Sequence, residues 1–273
     1  MNSKSKNNIF LQIVLWLIIL AFTVPTLWLF LTSIKTRVDA FAMPPKWIFK
    51  PVVSNYLTVL HNKSFMHYYL NSVMVAIATT ALGLLLGVPA GYALSRYNFK
   101  KKDDLAFWIL STRMAPPILV IVPFYLLFRR IHLLDTLAGL VLVYATFSLA
   151  FVTWMMKGYF DGLPRDLEEA SRVDGATRLR CIVSVILPLS GPGLMASAIF
   201  TFISSWNEYF YALILTGTRS QTVPVAINSF ITFEGIRWGE ISAAGILILV
   251  PVVIFGLLVQ KYLVSGLTMG AVK

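Results

Sequence analysis

The chain has 273 residues, of which 58% are hydrophobic and only 13% are charged. A soluble globular domain carries about 25% charged residues, so this composition indicates an integral membrane protein. A net charge of +11 is typical of nucleic-acid binding in a soluble chain, but here the basic residues gather beside apolar segments, which favours contact with a membrane surface and excludes a nucleic-acid partner.

Six apolar segments are each long enough to cross a membrane, because a hydrocarbon core of about 30 Å requires a helix of about 20 residues. They lie at about 9–31, 69–95, 105–128, 137–157, 193–215 and 240–260. Only helices and closed barrels satisfy their backbone groups in lipid. We therefore predict an all-α integral membrane protein, with six transmembrane helices in a single transmembrane domain over residues 1–273. The first segment is too long for a signal peptide and is expected to be retained.

The positive residues of the short loops predict how these helices are oriented. Arg96 and the lysines at 100–102 follow the second segment, and Arg165 and Arg172 follow the fourth. Because cytoplasmic loops are rich in lysine and arginine, these two connections are predicted to be cytoplasmic. The first outer connection, 32–68, also contains basic residues and weakens the contrast. An even number of spans then places both termini in the cytoplasm, and the expected location is the cell inner membrane.

Three glycines of the second segment, Gly83, Gly87 and Gly91, recur at every fourth residue and share one helix face. Small residues at this spacing allow two helices to approach closely in lipid. The seam could serve packing within this chain or contact with a partner subunit, and the sequence favours neither interpretation.

The third segment is interrupted by a charge, Arg113, and by prolines that include Pro116 and Pro117. A charge inside a membrane span is costly and usually functional. The prolines are expected to kink the helix where protein or water supplies partners for the freed carbonyls. Arg113 could line a translocation pathway or could pair with Glu208 as a structural clamp.

A polar interval, 158–192, follows the fourth segment and has the pattern of two short helices. Pro164 can begin the first, because its missing N–H would be unpaired there anyway. Glu168 and Arg172 stand at i, i+4 in the favoured order for an ion pair. Gly175 is placed to end this helix in a left-handed C-cap.

The second short helix of this interval has Ile182, Val185 and Ile186 on one face. It is expected to end near Leu187, because the residue before a proline, here Pro188, is disfavoured in a helix.

This interval resembles the EAA loop of the permeases of binding-protein-dependent ABC importers. The family pattern reads E-A-A, three residues, G, nine residues, then I-x-L-P. The matching residues are Glu169, Ala170, Ser171, Gly175, Val185, Leu187 and Pro188. Every spacing fits, although Ser171 replaces the second alanine and Val185 replaces isoleucine. Asp174-Gly175-Ala176 is similar to the D-G-A form of the sugar-importing, maltose-type branch.

Three other strings resemble the same branch: Gly91–Arg96, Thr112–Pro117 and Trp206–Glu208. The resemblance therefore covers nearly the whole chain. It implies the type I ABC importer permease fold and a cytoplasmic coupling loop at about 158–192. The residues that it implies for coupling to the ATPase are Glu168, Glu169, Ala170, Ser171, Asp174, Gly175, Ala176, Leu187 and Pro188.

The resemblance also implies the partners of the chain. These are a second homologous permease subunit, two ATPase subunits and an extracytoplasmic solute-binding protein. ATP and magnesium would be bound by the ATPase, and this chain would bind no cofactor.

The fifth segment contains a polar and aromatic string, Trp206, Asn207 and Glu208. Polar side chains in an apolar helix face protein or water rather than lipid. We expect these residues to line a translocation pathway or a polar subunit interface. The aromatic rings could stack on a sugar or belong to an interfacial belt.

Motifs for catalysis and metal binding are absent from the sequence. There is no G-x-x-x-x-G-K-[ST], H-E-x-x-H or G-x-S-x-G string. The chain is therefore not expected to be an enzyme, to have catalytic residues or to hold a metal. Cys181 is the only cysteine, which excludes an internal disulfide, and it is expected to be a buried thiol. Ion coupling would need several buried carboxylates, and Glu208 is nearly alone.

These observations predict a permease subunit that imports a sugar, a monosaccharide, an oligosaccharide or a related solute, with energy supplied from outside the chain. One alternative keeps the ABC assembly but changes the cargo to a polyol or another small polar solute. A second alternative is a secondary transporter or channel that acts alone.

Overall fold

The computed structural model describes the backbone of residues 3–233 and 235–271 and the side chains of residues 11–233 and 235–258. In chain order the helices are α1 (Ser3–Ser33), α2 (Arg37–Ala40), α3 (Ser54–His61), α4 (Lys63–Arg96), α5 (Lys102–Ser111), α6 (Pro117–Arg130), α7 (Leu137–Asp161), α8 (Asp166–Val173), α9 (Arg178–Cys181), α10 (Leu187–Leu189), α11 (Gly191–Trp206), α12 (Phe210–Leu215), α13 (Val223–Ala226) and α14 (Trp238–Ala271). Short 3-10 turns at Thr112–Met114 and Ile227–Phe230 follow α5 and α13, and a π-helical segment, Ile182–Ile186, joins α9 to α10. The strands β1 (Ile231–Thr232) and β2 (Gly235–Ile236) pair antiparallel.

Four of the described helices are long and apolar enough to cross a membrane, namely Leu11–Ser33, Lys63–Arg96, Leu137–Asp161 and Trp238–Leu258. Two further candidates are bent pairs, with 91° between Lys102–Met114 and Pro117–Arg130 and 76° between Arg178–Leu189 and Gly191–Trp206. If each pair is one span, the total is six. The predicted all-α membrane class is confirmed, and the small β1–β2 pair is an addition to it. The expectation of a continuous helix over 193–215 is wrong, because α11 ends at Trp206 and α12 begins only at Phe210.

Successive prolines explain the sharp bend between α5 and α6. Ala115, which precedes a proline, is extended at φ −65° and ψ 122°, and Pro116 is extended as well. A residue before proline avoids the helical region, whereas Pro117 can begin a new helix because its missing N–H is not needed there. The interruption expected in the third segment is therefore present, and Arg113 lies at the turn rather than inside a continuous helix.

The chain divides into two compact units. They comprise Met1–Met66 with Ala226–Val250, and His67–Val225 with Pro251–Lys273. In the first unit, the amide of Asn55 donates to the carbonyls of Ser33 and Lys35, each at 2.8 Å. The Lys35 side chain is buried, with its ammonium 4.5 Å from the ring centroid of Trp28 and 5.1 Å from that of Phe49. Aromatic faces stabilise this cation. A single transmembrane domain over 1–273 stays a prediction.

Helix α7 supplies buried side chains to both apolar clusters of the second unit. One cluster includes Leu140 and Tyr144 of α7 with Ile121 and Phe128 of α6. The other includes Val152, Met156 and Phe160 of α7 with Val88, Cys181 and Ile186. Cys181 is a buried free thiol, as predicted. The two clusters pack α4, α6 and the α9–α10 stretch against α7.

The glycine seam of α4 lies against α7. A Cβ added to Gly87 would lie 2.8 Å from the Cβ of Val152, and one added to Gly91 would lie 2.8 Å from the carbonyl oxygen of Thr153. At Gly83 the nearest atoms would be 3.7 Å away, which is ordinary contact. Two of the three glycines thus allow a close approach of helices inside this chain.

A carboxylate, Asp135, joins the α6–α7 connection to the segment after α12. Its Oδ1 accepts hydrogen bonds from the backbone N–H groups of Gly217 and Ser220, at 2.8 and 3.0 Å, and from the Ser220 hydroxyl at 2.8 Å. Burial by itself raises the pKa of the Asp135 carboxyl, but the bonds from Ser220 and Gly217 outweigh it and hold the pKa below its ordinary value. Asn71 of α4 donates to the carbonyl of Arg219 in the same segment at 3.0 Å.

These bonds predict a pH-dependent contribution to stability. Because the pKa of Asp135 is lowered by folding, its contribution is present above the unfolded pKa of about 3.9 and is lost as pH falls through the folded value. We expect the melting temperature of the purified protein to fall more steeply below about pH 5 in the wild type than in Asp135→Asn. Asp104→Asn, which changes an exposed carboxylate of α5, is the control. Equal slopes for wild type and Asp135→Asn would contradict this assignment.

Candidate functional site

The polar interval contains a short helix, α8, that ends in a glycine turn. Gly175 has a left-handed backbone, with φ +83°. Its N–H donates to the carbonyl of Arg172 at 3.0 Å, and the N–H of Ala176 donates to that of Ser171 at 3.1 Å. These are the two bonds of a Schellman motif. The left-handed C-cap predicted at Gly175 is confirmed.

The helical stretch that follows is longer than expected. It continues past Leu187 to Leu189 and ends at Ser190, so the predicted end before Pro188 is wrong. The N–H of Leu187 donates to the carbonyl of Ile182, five residues back. A π-turn of this kind widens the helix and accommodates the ring and the missing N–H of a proline.

The two adjacent glutamates of α8 lie in different environments. Glu168 Oε1 is 2.5 Å from Arg96 Nε, and its Oε2 accepts a hydrogen bond from the Tyr92 hydroxyl at 2.8 Å. Both partners belong to α4. The prediction of an ion pair between Glu168 and Arg172 is therefore wrong, because the two oxygens of the Glu168 carboxylate bond Arg96 and Tyr92 instead. Glu169 is exposed.

The tip of this interval exposes apolar side chains. Val173 at the end of α8 is 87% exposed, and Leu179 of α9 is 72% exposed. Apolar residues set among charges are characteristic of protein docking surfaces. Neither residue is among those that the resemblance implies for coupling. Their position in a charged segment outside the predicted spans was the available signal.

The residues that the resemblance implies for coupling fall into two groups. Glu169, Ala170, Asp174, Gly175 and Pro188 are exposed, whereas Glu168, Ser171, Ala176 and Leu187 are partly buried.

A second group of polar residues lines a cavity of about 210 Å³ in the second unit. The lining includes Arg113, Tyr144, Phe147, Phe151, Glu208 and Tyr211. The Arg113 guanidinium lies 5.0 Å from the ring centroid of Phe151, a distance at which a cation and a ring attract each other. The cavity thus combines one cation, one carboxyl group and several aromatic faces.

Glu208 is held at the break between α11 and α12. Its carboxyl oxygens accept hydrogen bonds from the backbone N–H groups of Phe210, Tyr211 and Ala212, at 3.1, 3.0 and 3.4 Å. They satisfy the unpaired donors at the beginning of α12. In the described part of the chain no ion pair joins Glu208 to Arg113, although both line the cavity. The structural clamp, in which Arg113 would pair with Glu208, is therefore not formed.

Three residues of the cavity lining have buried hydroxyl groups without hydrogen-bond partners in the described part of the chain. Thr201, Ser205 and Tyr211 are buried, and their hydroxyls make no hydrogen bond to the residues that the structure describes. Buried polar groups are rarely left unpaired without a reason, such as a site for water or a ligand. The aromatic faces, the guanidinium of Arg113 and the carboxyl group of Glu208 suit a small polar solute.

Trp206 and Asn207 do not line this cavity. The Trp206 ring is buried, edge-on to Tyr69 at 5.3 Å and stacked on Phe202 at 6.0 Å. Asn207 is exposed at the end of α11. Among the described side chains, residues 11–233 and 235–258, no group of three or more His, Cys, Asp or Glu residues could hold a metal ion.

Apolar helices long enough to cross a membrane, together with a cavity lined by a cation and a carboxyl group, are typical of membrane transport permeases. The family described as "Binding-protein-dependent transport system inner membrane component" matches residues 83–269. The chain belongs to this family, as the resemblance predicted.

Relatives and solved structures agree with this assignment. The "Probable ABC transporter permease protein y4oR" of Sinorhizobium fredii is 37% identical over 91% of this chain and 90% of its own length. The "Trehalose transport system permease protein SugB" of Mycobacterium tuberculosis is 37% identical over 91% of this chain and 92% of its own. A solved chain of "a bacterial ABC transporter involved in the import of the acidic polysaccharide alginate" has a TM-score of 0.81 and 26% identity, covering 96% of this chain and 98% of that one.

Proposed function

We propose that this chain is the permease subunit of an ATP-driven importer that moves a sugar across the inner membrane, and that a separate ATPase drives it through α8 and the glycine turn. The exposed tip formed by Glu169, Val173 and Leu179 is the observation that carries the proposal, because it offers both charge and apolar area to a partner. The tip faces the cytoplasm, and both termini lie on the same side.

The proposed assembly contains a second homologous permease, two ATPase subunits and an extracytoplasmic solute-binding protein. ATP and magnesium are bound by the ATPase, whose closure pulls on α8 and shifts the bundle between two arrangements. The trehalose and alginate importers among the similar proteins support a carbohydrate as the cargo.

The docking assignment can be tested by cross-linking in membranes that contain the whole assembly. Cys181 is buried, so a cysteine introduced at Val173 is the accessible one for a short thiol-reactive photo-cross-linker. We expect Val173→Cys to capture the ATPase. Phe233→Cys, which labels an exposed residue of the β1–β2 turn, is the control and is expected to capture none. A Val173→Cys protein that never cross-links to a nucleotide-hydrolysing subunit would remove the assignment.

The cavity is proposed to lie on the translocation pathway, and Arg113 is the residue to test. We expect Arg113→Ala to lower uptake by about tenfold, which corresponds to the loss of one charge-assisted hydrogen bond to the passing solute. The amount of protein in the membrane should not change, because Arg113 is exposed and forms no ion pair within the described residues. Uptake measured with purified complexes in vesicles decides the point, with Arg130→Ala of α6 as the control. Full uptake by Arg113→Ala would take Arg113 off the pathway.

A further inference from the structure

The last two turns of α4 hold helix α8 through Glu168, the first of the two glutamates of α8. Arg96 Nε lies 2.5 Å from Glu168 Oε1, and Arg96 Nη2 donates to the carbonyl of Leu163, just before α8, at 3.0 Å. Tyr92 donates to Glu168 Oε2 at 2.8 Å. The side chains of Arg96 and Glu168 are only 8% and 17% exposed. A charge pair that is largely removed from water and completed by further hydrogen bonds holds its geometry far better than a surface pair.

The same end of α4 is also tied to α7. The Ser95 hydroxyl donates to Asp161 Oδ1 at 2.6 Å, and Asp161 Oδ2 accepts from Lys157 at 2.6 Å. The Tyr92 ring packs edge-on against Phe160 of α7, with 5.6 Å between centroids. Gly91, one turn before Ser95 in α4, brings the backbones of α4 and α7 close together. The ends of α4 and α7 therefore form one packed body, to which α8 is attached through Glu168.

The two glutamates of α8 therefore have opposite surroundings, although the resemblance implies a role in coupling for both. Glu169 is exposed, whereas both carboxylate oxygens of Glu168 are bonded to α4. A residue whose oxygens are already occupied has little left to offer a docking partner.

We propose that Arg96 and Tyr92 are positioning residues that fasten α8 to α4 through Glu168, so that a pull on α8 reaches the spans through α4 and α7. Glu168 is then an internal anchor, and docking belongs to Glu169 and the exposed apolar tip. This inference rests on the proposed function, since it describes how the same segment transmits the work of the ATPase. It replaces the role in docking that the resemblance implies for Glu168.

Charge reversal in the complete complex, reconstituted in vesicles, tests the fastening. We expect Arg96→Glu and Glu168→Arg each to keep the ATPase bound and hydrolysing ATP, while the amount of solute imported per ATP falls about tenfold or more, because each leaves a like-charge pair. The double variant, with both changes, is expected to recover to within about threefold of the wild type, since the pair is restored in reverse. Lys100→Glu, a charge reversal at an exposed site nearby, is the control.

Tyr92→Phe keeps the ring against Phe160 and removes only the hydroxyl that Glu168 accepts, so it remains informative if a charge reversal prevents folding. We expect a partial loss of solute imported per ATP and an unchanged yield of complex. Wild-type coupling in both Arg96→Glu and Tyr92→Phe would overturn the proposal. Loss of the bound ATPase in Glu168→Arg would also overturn it, because Glu168 would then be a docking residue. A wild-type complex that imports nothing with ATP would instead contradict the proposed function itself.

Discussion

Glu169→Lys is expected to abolish ATP-driven uptake and to leave the protein inserted and folded. Glu169 is an exposed residue of the tip, and none of the ion pairs found in the described residues involves it, so its reversal breaks no ion pair among them. At a docking surface, the same reversal replaces an attraction by a repulsion and leaves a buried partner charge unpaired, which costs about 2–5 kcal/mol or more. That cost weakens the affinity for the ATPase by about thirtyfold or more.

The measurement is uptake into vesicles together with the amount of ATPase that co-purifies with the permease. Glu169→Gln, which keeps the shape and loses the charge, should fall between wild type and Glu169→Lys. Asp104→Lys reverses another exposed carboxylate, on α5, and should transport normally. Wild-type uptake by Glu169→Lys would show that the ATPase does not depend on contact with Glu169.

Gly91→Val is expected to have the largest effect on folding. A Cβ at this position would lie 2.8 Å from the carbonyl oxygen of Thr153 and 3.0 Å from the N–H nitrogen of Lys157. Both are backbone atoms of α7, so relief requires the two helices to separate rather than a side chain to rotate. Overpacking of this kind costs about 1–3 kcal/mol and sometimes more, and separation would also weaken the contacts of α4 and α7 with their neighbours.

The matched control for this change lies on the same helix face. Gly83→Ala should be tolerated, because the nearest atoms to an added Cβ there are 3.7 Å away. Folded yield and melting temperature of the detergent-purified proteins provide the comparison. Gly91→Ala, which adds the same Cβ as Gly83→Ala, completes the comparison. Similar losses in Gly83→Ala and Gly91→Ala would mean that the close approach at Gly91 does not govern stability.

Local rules predict much of this chain because their causes are local. The apolar segments are helical because a segment of about 20 apolar residues can pair its own backbone groups in lipid only as a helix. Gly175 takes a left-handed conformation because glycine at a helix end does so without steric cost. The prolines before α6 interrupt the third segment for an equally local reason.

The features that the sequence did not predict are set by contacts between distant residues. The i, i+4 rule paired Glu168 with Arg172, but the fold brings Arg96 to the carboxylate, and a partly buried site favours that bond. The break at Glu208 was likewise missed, because the string reads as helix until its carboxyl group is seen to cap α12. The helical stretch continues through Pro188, with a π-turn directly before it that the sequence pattern does not reveal.

The exposed apolar side chains of Val173 and Leu179 should affect the abundance of the protein in the cell. A copy without a bound partner exposes these apolar side chains to water. Exposed apolar side chains favour aggregation and proteolysis. The abundance of the chain should therefore follow the supply of whichever protein covers them. Copies of the chain made in excess of that protein would be degraded.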